Sequence, residues 1–247
     1  MISLVILGLA SFVAWFFSML AGGGSPFILI PLVTVMLGSQ AVAPVITTGM
    51  LAGNAQRVVF FWRDVDVPVT LWHLPGAIAG AVVGGYVLTF IHLEWLQLLM
   101  GGGLILMVVS QGFGKKERSF PVQTWHFLPY SFFYAFLSAL LGSTGPIMNP
   151  VYLNYGLDKE RMIATKSTNV LIVHIAKVLT YLALGTLTQT YLAYGLLIGT
   201  AAIPANYLGK LILDRMSSQQ FRQAVLGFVA ISGAMMLWEQ RNLLLIW

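Results

Sequence analysis

Apolar residues gather in segments at approximately 2–20, 26–37, 41–62, 68–90, 94–111, 124–141, 146–155, 162–184, 188–213 and 219–238, parted by polar or Gly/Pro-rich clusters. They are runs rather than strict alternations, and most approach the roughly 20 residues that a membrane-spanning helix requires. Two do not. At about 1.5 Å per residue, 26–37 and 146–155 reach roughly 15–18 Å, about half of a ~30 Å hydrocarbon core. Each begins at a glycine-proline cluster, "AGGGSP" (Ala21 to Pro26) and "GSTGP" (Gly142 to Pro146). The pattern predicts two half-helices that start from a break inside the membrane.

Composition places the chain in that setting. Of 247 residues, 58% are hydrophobic and 9% charged, against roughly 25% charged in a soluble domain, and the mean hydropathy is +0.84. The fold class expected is an all-α polytopic membrane protein, because a barrel would show weakly alternating segments of about ten residues. The first run has no Lys or Arg before it and apolar character resumes after the glycines, so it is expected to stay in the mature fold rather than be a cleaved leader. Absence of cysteine removes disulfides, thiolate nucleophiles and thiolate-bound metals. The net charge of +5 resides mainly in loops between apolar runs, which points to membrane topology and away from nucleic acid.

The punctuation repeats. Gly22 and Pro26 answer Gly142 and Pro146, Gly38 answers Gly156, Thr47 answers Thr165, Gly76 and Gly80 answer Gly195 and Gly199, and Gly102 answers Gly227. The order of long and short segments matches as well. The chain is therefore divided into a first transmembrane repeat (1–114), a cytoplasmic linker (115–121) and a second transmembrane repeat (122–247).

Basic residues orient the two copies. Suppose each short segment turns back as a re-entrant hairpin, so that each copy has one hairpin and three transmembrane helices. The second copy is then inverted. Arg57, Arg63, Lys115, Lys116, Arg118, Lys159, Arg161, Lys210, Arg215 and Arg222 fall toward one side and only Arg241 toward the other, with Lys166 and Lys177 inside a helix. Four spans per copy would instead split the same loop charges six against five. The positive-inside bias favours two inverted-topology repeats, both termini outside and the linker in the cytoplasm. Trp62, Trp95, Trp125 and Trp238 fall at predicted span ends, where amphipathic rings favour the headgroups.

Candidate chemistry starts at the breaks. Backbone that leaves the helix at membrane depth must be buried in protein or line a water-filled cavity, and half-helix N-termini present N–H groups to anions. Here Ser25 and Pro26 would open one half-helix, and Thr144, Gly145 and Pro146 the other; the glycines permit a tight turn and close helix packing as well as close approach of a ligand. All eight acids, Asp64, Asp66, Glu94, Glu117, Asp158, Glu160, Asp214 and Glu239, lie in or beside loops, which weighs against a cation pathway.

The charges inside spans are basic. Arg57 and Lys166 lie within about two turns of a helix end, where snorkelling accounts for them; Lys177, with His174 one turn before it, is deeper and is a candidate partner for an anion. Polar residues gather on the first long span of each copy, Thr47, Thr48, Asn54 and Gln56 in one and Thr165, Ser167, Thr168, Asn169 and His174 in the other. Such groups hydrogen-bond an oxyanion or join helices, and Asn54 and Asn169 are the preferred pair. Gly76, Gly80, Gly84, Gly195 and Gly199 read as close-packing positions. The four histidines lack zinc spacing, and nothing in the spacing of Ser25, Ser143, His73 and His174 argues for a catalytic pair.

In "AGGGSPFILIPLV" (Ala21 to Val33), "LGSTGPIMNPVYL" (Leu141 to Leu153) and "PGAIAGAVVGGY" (Pro75 to Tyr86), the chain resembles the TauE/SafE sulfite-exporter family of membrane permeases, over nearly its whole length. The resemblance implies transport of sulfite, of sulfonates such as sulfoacetate, or of other small organosulfur anions. It departs at "GSTG", where Ser143 and Thr144 stand in place of two glycines that the family often has.

The expected function is a secondary permease of the plasma membrane that moves such an anion by alternating access. Its partners are the small anionic substrate and the lipid bilayer; no nucleic acid, metal or cofactor is expected, and no oligomeric state is set. The expected substrate-binding residues are Gly22, Gly23, Gly24, Ser25, Thr47, Asn54, Gly142, Ser143, Thr144, Thr165, Ser167, Asn169, His174 and Lys177. A passive anion channel and an intramembrane enzyme are the alternatives, the enzyme being the weaker.

Overall fold

The computed structural model describes residues 2–87, 120–141, 147–157, 159–183 and 185–239, with isolated helical positions between 102 and 109. Among the described residues there are nine α-helices and no strand: α1 (Ile2–Leu20), α2 (Ser25–Leu37), α3 (Ser39–Phe61), α4 (Val67–Val87), α5 (Phe127–Leu141), α6 (Asn149–Tyr155), α7 (Lys159–Ala183), α8 (Gln189–Leu213) and α9 (Ser218–Glu239). Their bounds follow the apolar segments to within a few residues. Segment 94–111 (isolated positions apart), linker residues Lys115 to Arg118 and the second break at 142–146 lie outside the described residues.

The first break is where the sequence puts it. Gly22, Gly23 and Gly24 take φ values of 65, 127 and 115°, a region that side chains with a Cβ rarely adopt. Gly23 N donates back to Ser18 O at 2.7 Å, which closes the end of α1. Pro26 then sits in the first turn of α2, where its missing N–H costs no helical bond. Space as well as φ demands glycine here. A Cβ on Gly24 would run into the Phe228 ring, and one on Gly23 would land on Lys166 Nζ.

The short second helix of each half also ends on a left-handed or positive-φ glycine, Gly38 (φ 85°) after α2 and Gly156 (φ 105°) after α6. Contacts between halves are reciprocal: α4 packs along α5, while α8 packs along α1 and α3, and α3 and α7 cross between them. The small-residue positions make the closest approaches. Cβ atoms on Gly76, Gly80 and Gly84 would strike the carbonyls of Leu128, Phe132 and Phe136, so one glycine per helical turn of α4 meets one carbonyl per turn of α5, and the two run parallel. Gly195 faces Thr48 and Gly199 faces Ala52, which makes α8 parallel to α3.

Large apolar side chains cover the outside. Leu9, Val59, Leu71, Val82 and Leu179 are each more than half exposed, as expected of a surface solvated by lipid chains. Three described helices, in the ranges Val67–Gly84, Lys159–Ala183 and Gln189–Leu213, are long and apolar enough to cross a membrane. Trp62, Trp125 and Trp238 project at helix ends with more than half of their surface exposed, in keeping with interfacial anchoring. Trp95 lies outside the described residues.

Candidate functional site

A cavity opens where the break between α1 and α2 meets the middle of α3 and α7. Its floor is the backbone of Gly22 to Pro26. On α3 the lining residues are Met50, Asn54 and Arg57, spaced i, i+4, i+7 on one helical face; on α7 they are Ile163, Lys166, Ser167, Val170 and His174, the same face over three turns. Trp15 and Ser18 of α1 and Tyr134 of α5 complete the wall. The cavity offers about 30 Å³ to the centres of water-sized molecules, roughly twice what one water needs. A ligand of a few heavy atoms fits.

Two cations face this space, and both are buried. Arg57 Nε donates to Asn206 Oδ1 at 3.0 Å and Nη2 to Trp15 O at 3.3 Å, and the guanidinium lies over the Trp15 ring, 4.7 Å from its centre. These bonds use only part of its five-donor fork, so donors remain for a ligand. Lys166 Nζ donates to Gly22 O at 2.7 Å and to Asn149 Oδ1 at 2.5 Å. Among the described residues, no carboxylate stands within ion-pair distance of Arg57 and none lines the cavity.

The rest of the wall holds a donor, Trp15 Nε1, and two atoms that can donate or accept, Ser18 Oγ and His174 Nδ1. Trp15 Nε1, Ser18 Oγ and His174 Nδ1 are buried with no hydrogen-bond partner among the described residues. Buried polar groups are usually paired; an anion or water in the cavity is the partner available to these. Two buried cations, buried polar atoms without a partner among the described residues and a described lining without carboxylate give this cavity the chemistry to hold a small anion.

Of the residues selected from sequence, Gly22, Gly23, Gly24, Ser25, Asn54, Ser167 and His174 line the cavity. Thr47, Thr165, Asn169 and Lys177 do not. Thr47 is buried beside Tyr181. Thr165 Oγ1 accepts from Asp66 N at 2.9 Å, which ties α7 to the start of α4. Asn169 Nδ2 donates to Tyr152 OH at 2.9 Å. Lys177 is buried one turn beyond His174. Gly142, Ser143 and Thr144 lie outside the described residues.

One expectation is corrected. Arg57 and Lys166 do not snorkel: they are 3% and 8% exposed and bond inward. Distance from a helix end ignores rotation about the axis, and both side chains face the break instead of the headgroups. The signal was present for Arg57, which shares a helical face with Asn54 and Met50. For Lys166 the signal was the run "TKSTN", in which the only cation stands among hydroxyl and amide residues.

A helical bundle that encloses a donor-lined cavity at a broken helix is the architecture of a membrane transport protein. The sequence model for "Sulfite exporter TauE/SafE" matches residues 7–236, and the chain belongs to that family of membrane transport proteins. No match was found among curated proteins or among solved structures.

Proposed function

We propose that the protein is a secondary permease for a small sulfur oxyanion, which binds between the Gly22 to Ser25 backbone, Arg57 and Lys166. The observation that carries this reading is the convergence of two buried cations on a cavity at the helix break whose described lining holds no carboxylate. Arg57 and Lys166 supply charge, while Asn54, Ser167 and Ser18 supply neutral hydrogen bonds. The small cavity favours a compact oxyanion such as sulfite over a longer sulfonate such as sulfoacetate. Gly142, Ser143 and Thr144 would approach the same substrate from the second half-helix. Thr47, Thr165, Asn169 and Lys177 would act at a distance, as supports of the walls or on the route to them.

Alternating access through two inverted repeats is supported by contacts between corresponding elements. Arg161, in the first turn of α7, lies 3.0 Å from Asp66, just past the end of α3. Lys210, near the end of α8, lies over the ring of Phe61 at the end of α3. Thus α7 starts where α3 finishes, and α8 finishes where α4 starts, as inverted copies require. These contacts also gather Arg63, Lys159, Arg161 and Lys210 at one end, the cytoplasmic end if positive charge stays inside. Both termini would then be outside.

The test is flux in proteoliposomes loaded with sulfite, sulfoacetate, thiosulfate or taurine. Saturable sulfite flux supports the permease. Uncoupled, voltage-following flux at rates above a carrier's identifies a channel, a chemically altered product identifies an enzyme, and no movement of any anion removes the transport reading.

A further inference from the structure

We propose that Lys166 is a resident cation: its ammonium occupies the place of a dissociable coupling cation, so that the anion moves without sodium. The inference rests on the transport reading and specifies how that site is charged.

The ligands of the ammonium carry the argument. Lys166 Nζ is held by a backbone carbonyl at the helix break, Gly22 O at 2.7 Å, and by an amide oxygen, Asn149 Oδ1 at 2.5 Å. Asn149 opens α6 and also donates to Ala21 O at 3.4 Å, so the same residue is tied to the first break. Unwound backbone carbonyls such as Gly22 O are what transporters present to a monovalent cation, and Asn149 adds a second neutral oxygen from the other half of the chain. Here a side chain fills that place. Gly23 keeps the space open, because a Cβ at that position would overlap Nζ.

Electrostatics point the same way. The ammonium and the Arg57 guanidinium line one cavity, and a sodium ion placed beside them would add a third like charge. An anion in the cavity offsets such like charge. The tethered cation therefore balances the substrate in every cycle without being carried across, and the acceptors Gly22 O and Asn149 Oδ1 are satisfied throughout.

Two measurements test this, one with substrate and one without. In proteoliposomes, wild-type flux of radiolabelled sulfite is expected to be the same in sodium and in choline buffers; a requirement for sodium overturns the proposal. Lys166→Ala is expected to lose flux by about 10-fold or more, the scale of a charge-assisted hydrogen bond, and to regain it with methylammonium or sodium but not with choline. In detergent without substrate, the melting temperature of Lys166→Ala should rise with methylammonium or sodium, while wild type is unmoved. A Lys166→Ala protein whose stability ignores both ions, or a wild type that sodium stabilises, overturns the proposal. Should the alanine variant not fold, Lys166→Met keeps the volume: lost flux that no cation restores supports the proposal, and full flux overturns it. Because the melting arm contains no sulfite, its failure leaves the transport reading intact, whereas the absence of any wild-type flux removes that reading and this inference with it.

Discussion

Arg57 Nε donates to Asn206 Oδ1 at 3.0 Å, so a cation on α3 is held by a neutral amide on α8, from the other half of the chain. The orientation of that amide is fixed by its own donors: Asn206 Nδ2 reaches Gly53 O at 3.2 Å and Gln56 Oε1 at 3.3 Å, and a flipped amide would set oxygen against oxygen. Asn206 thus positions Arg57 without cancelling its charge. Replacement by aspartate would cancel it. Asn206→Asp is expected to raise the sulfite KM by about 10-fold or more, because a buried ion pair competes with the substrate for the guanidinium. Asn206→Ala is expected to cost about 1–3 kcal/mol of stability for the unmade bonds, with a smaller rise in KM. The two melting temperatures and two KM values check this, and an unchanged KM in Asn206→Asp would take Arg57 out of the site.

Glycine substitutions separate the break from ordinary helix. Gly24 combines φ 115° with a Cβ position inside the Phe228 ring, whereas Gly8 is helical with nothing within 4 Å of an added Cβ. Gly24→Ala is expected to destabilise by about 2–4 kcal/mol, from left-handed strain together with overpacking. Gly8→Ala should be neutral, or stabilising by about 0.5–1 kcal/mol, through lower backbone entropy of the unfolded chain. Thermal unfolding in detergent gives the comparison. Equal losses at the two positions would contradict the conformational argument.

Helix positions and the Gly22–Gly24 break were legible because hydropathy and glycine punctuation act locally: three positive-φ residues in an apolar run leave few other conformations. That α4 packs closely was legible for a related reason, since glycines four apart expose one bare stripe of helix, but its partner α5 was not. Rotation about the helix axis was harder to read. Thr47 and Asn54 stand together in sequence as candidate donors, yet only Asn54 turns to the cavity, and the distance of Arg57 from the helix end suggests an interfacial residue although its helical face points to the break. Trp15 and Ser18 carry no local mark at all. They belong to the site because α1 stops beside α3, which is a fact of tertiary packing.

The Asp66–Arg161 contact should be markedly asymmetric. Arg161 is 56% exposed while Asp66 is 8% exposed, so water screens much of the pairing. Asp66 Oδ1 also accepts from Val69 N at 3.1 Å and caps the start of α4. Arg161→Ala is expected to cost less than about 1 kcal/mol, and Asp66→Ala about 1–2 kcal/mol for the cap. Thermal melts at low and high salt test this: added salt should narrow the gap between wild type and Arg161→Ala while leaving the Asp66→Ala deficit.

Because the chain contains no cysteine, single cysteines can report which polar residues meet the substrate. Asn54 and Ser167 line the cavity, whereas Asn169 is turned to Tyr152 and bonded there at 2.9 Å. In an otherwise native protein, Asn54→Cys and Ser167→Cys are expected to react with a small charged thiol reagent, and sulfite in the assay should slow both reactions. An anionic reagent should react faster than a cationic one, since Arg57 and Lys166 attract the first and repel the second. Asn169→Cys should react slowly with either, and sulfite should not change its rate. Protection of Asn169→Cys with none at Asn54→Cys would move the site from the break to the α6–α7 interface, and with it the roles given to Arg57 and Lys166.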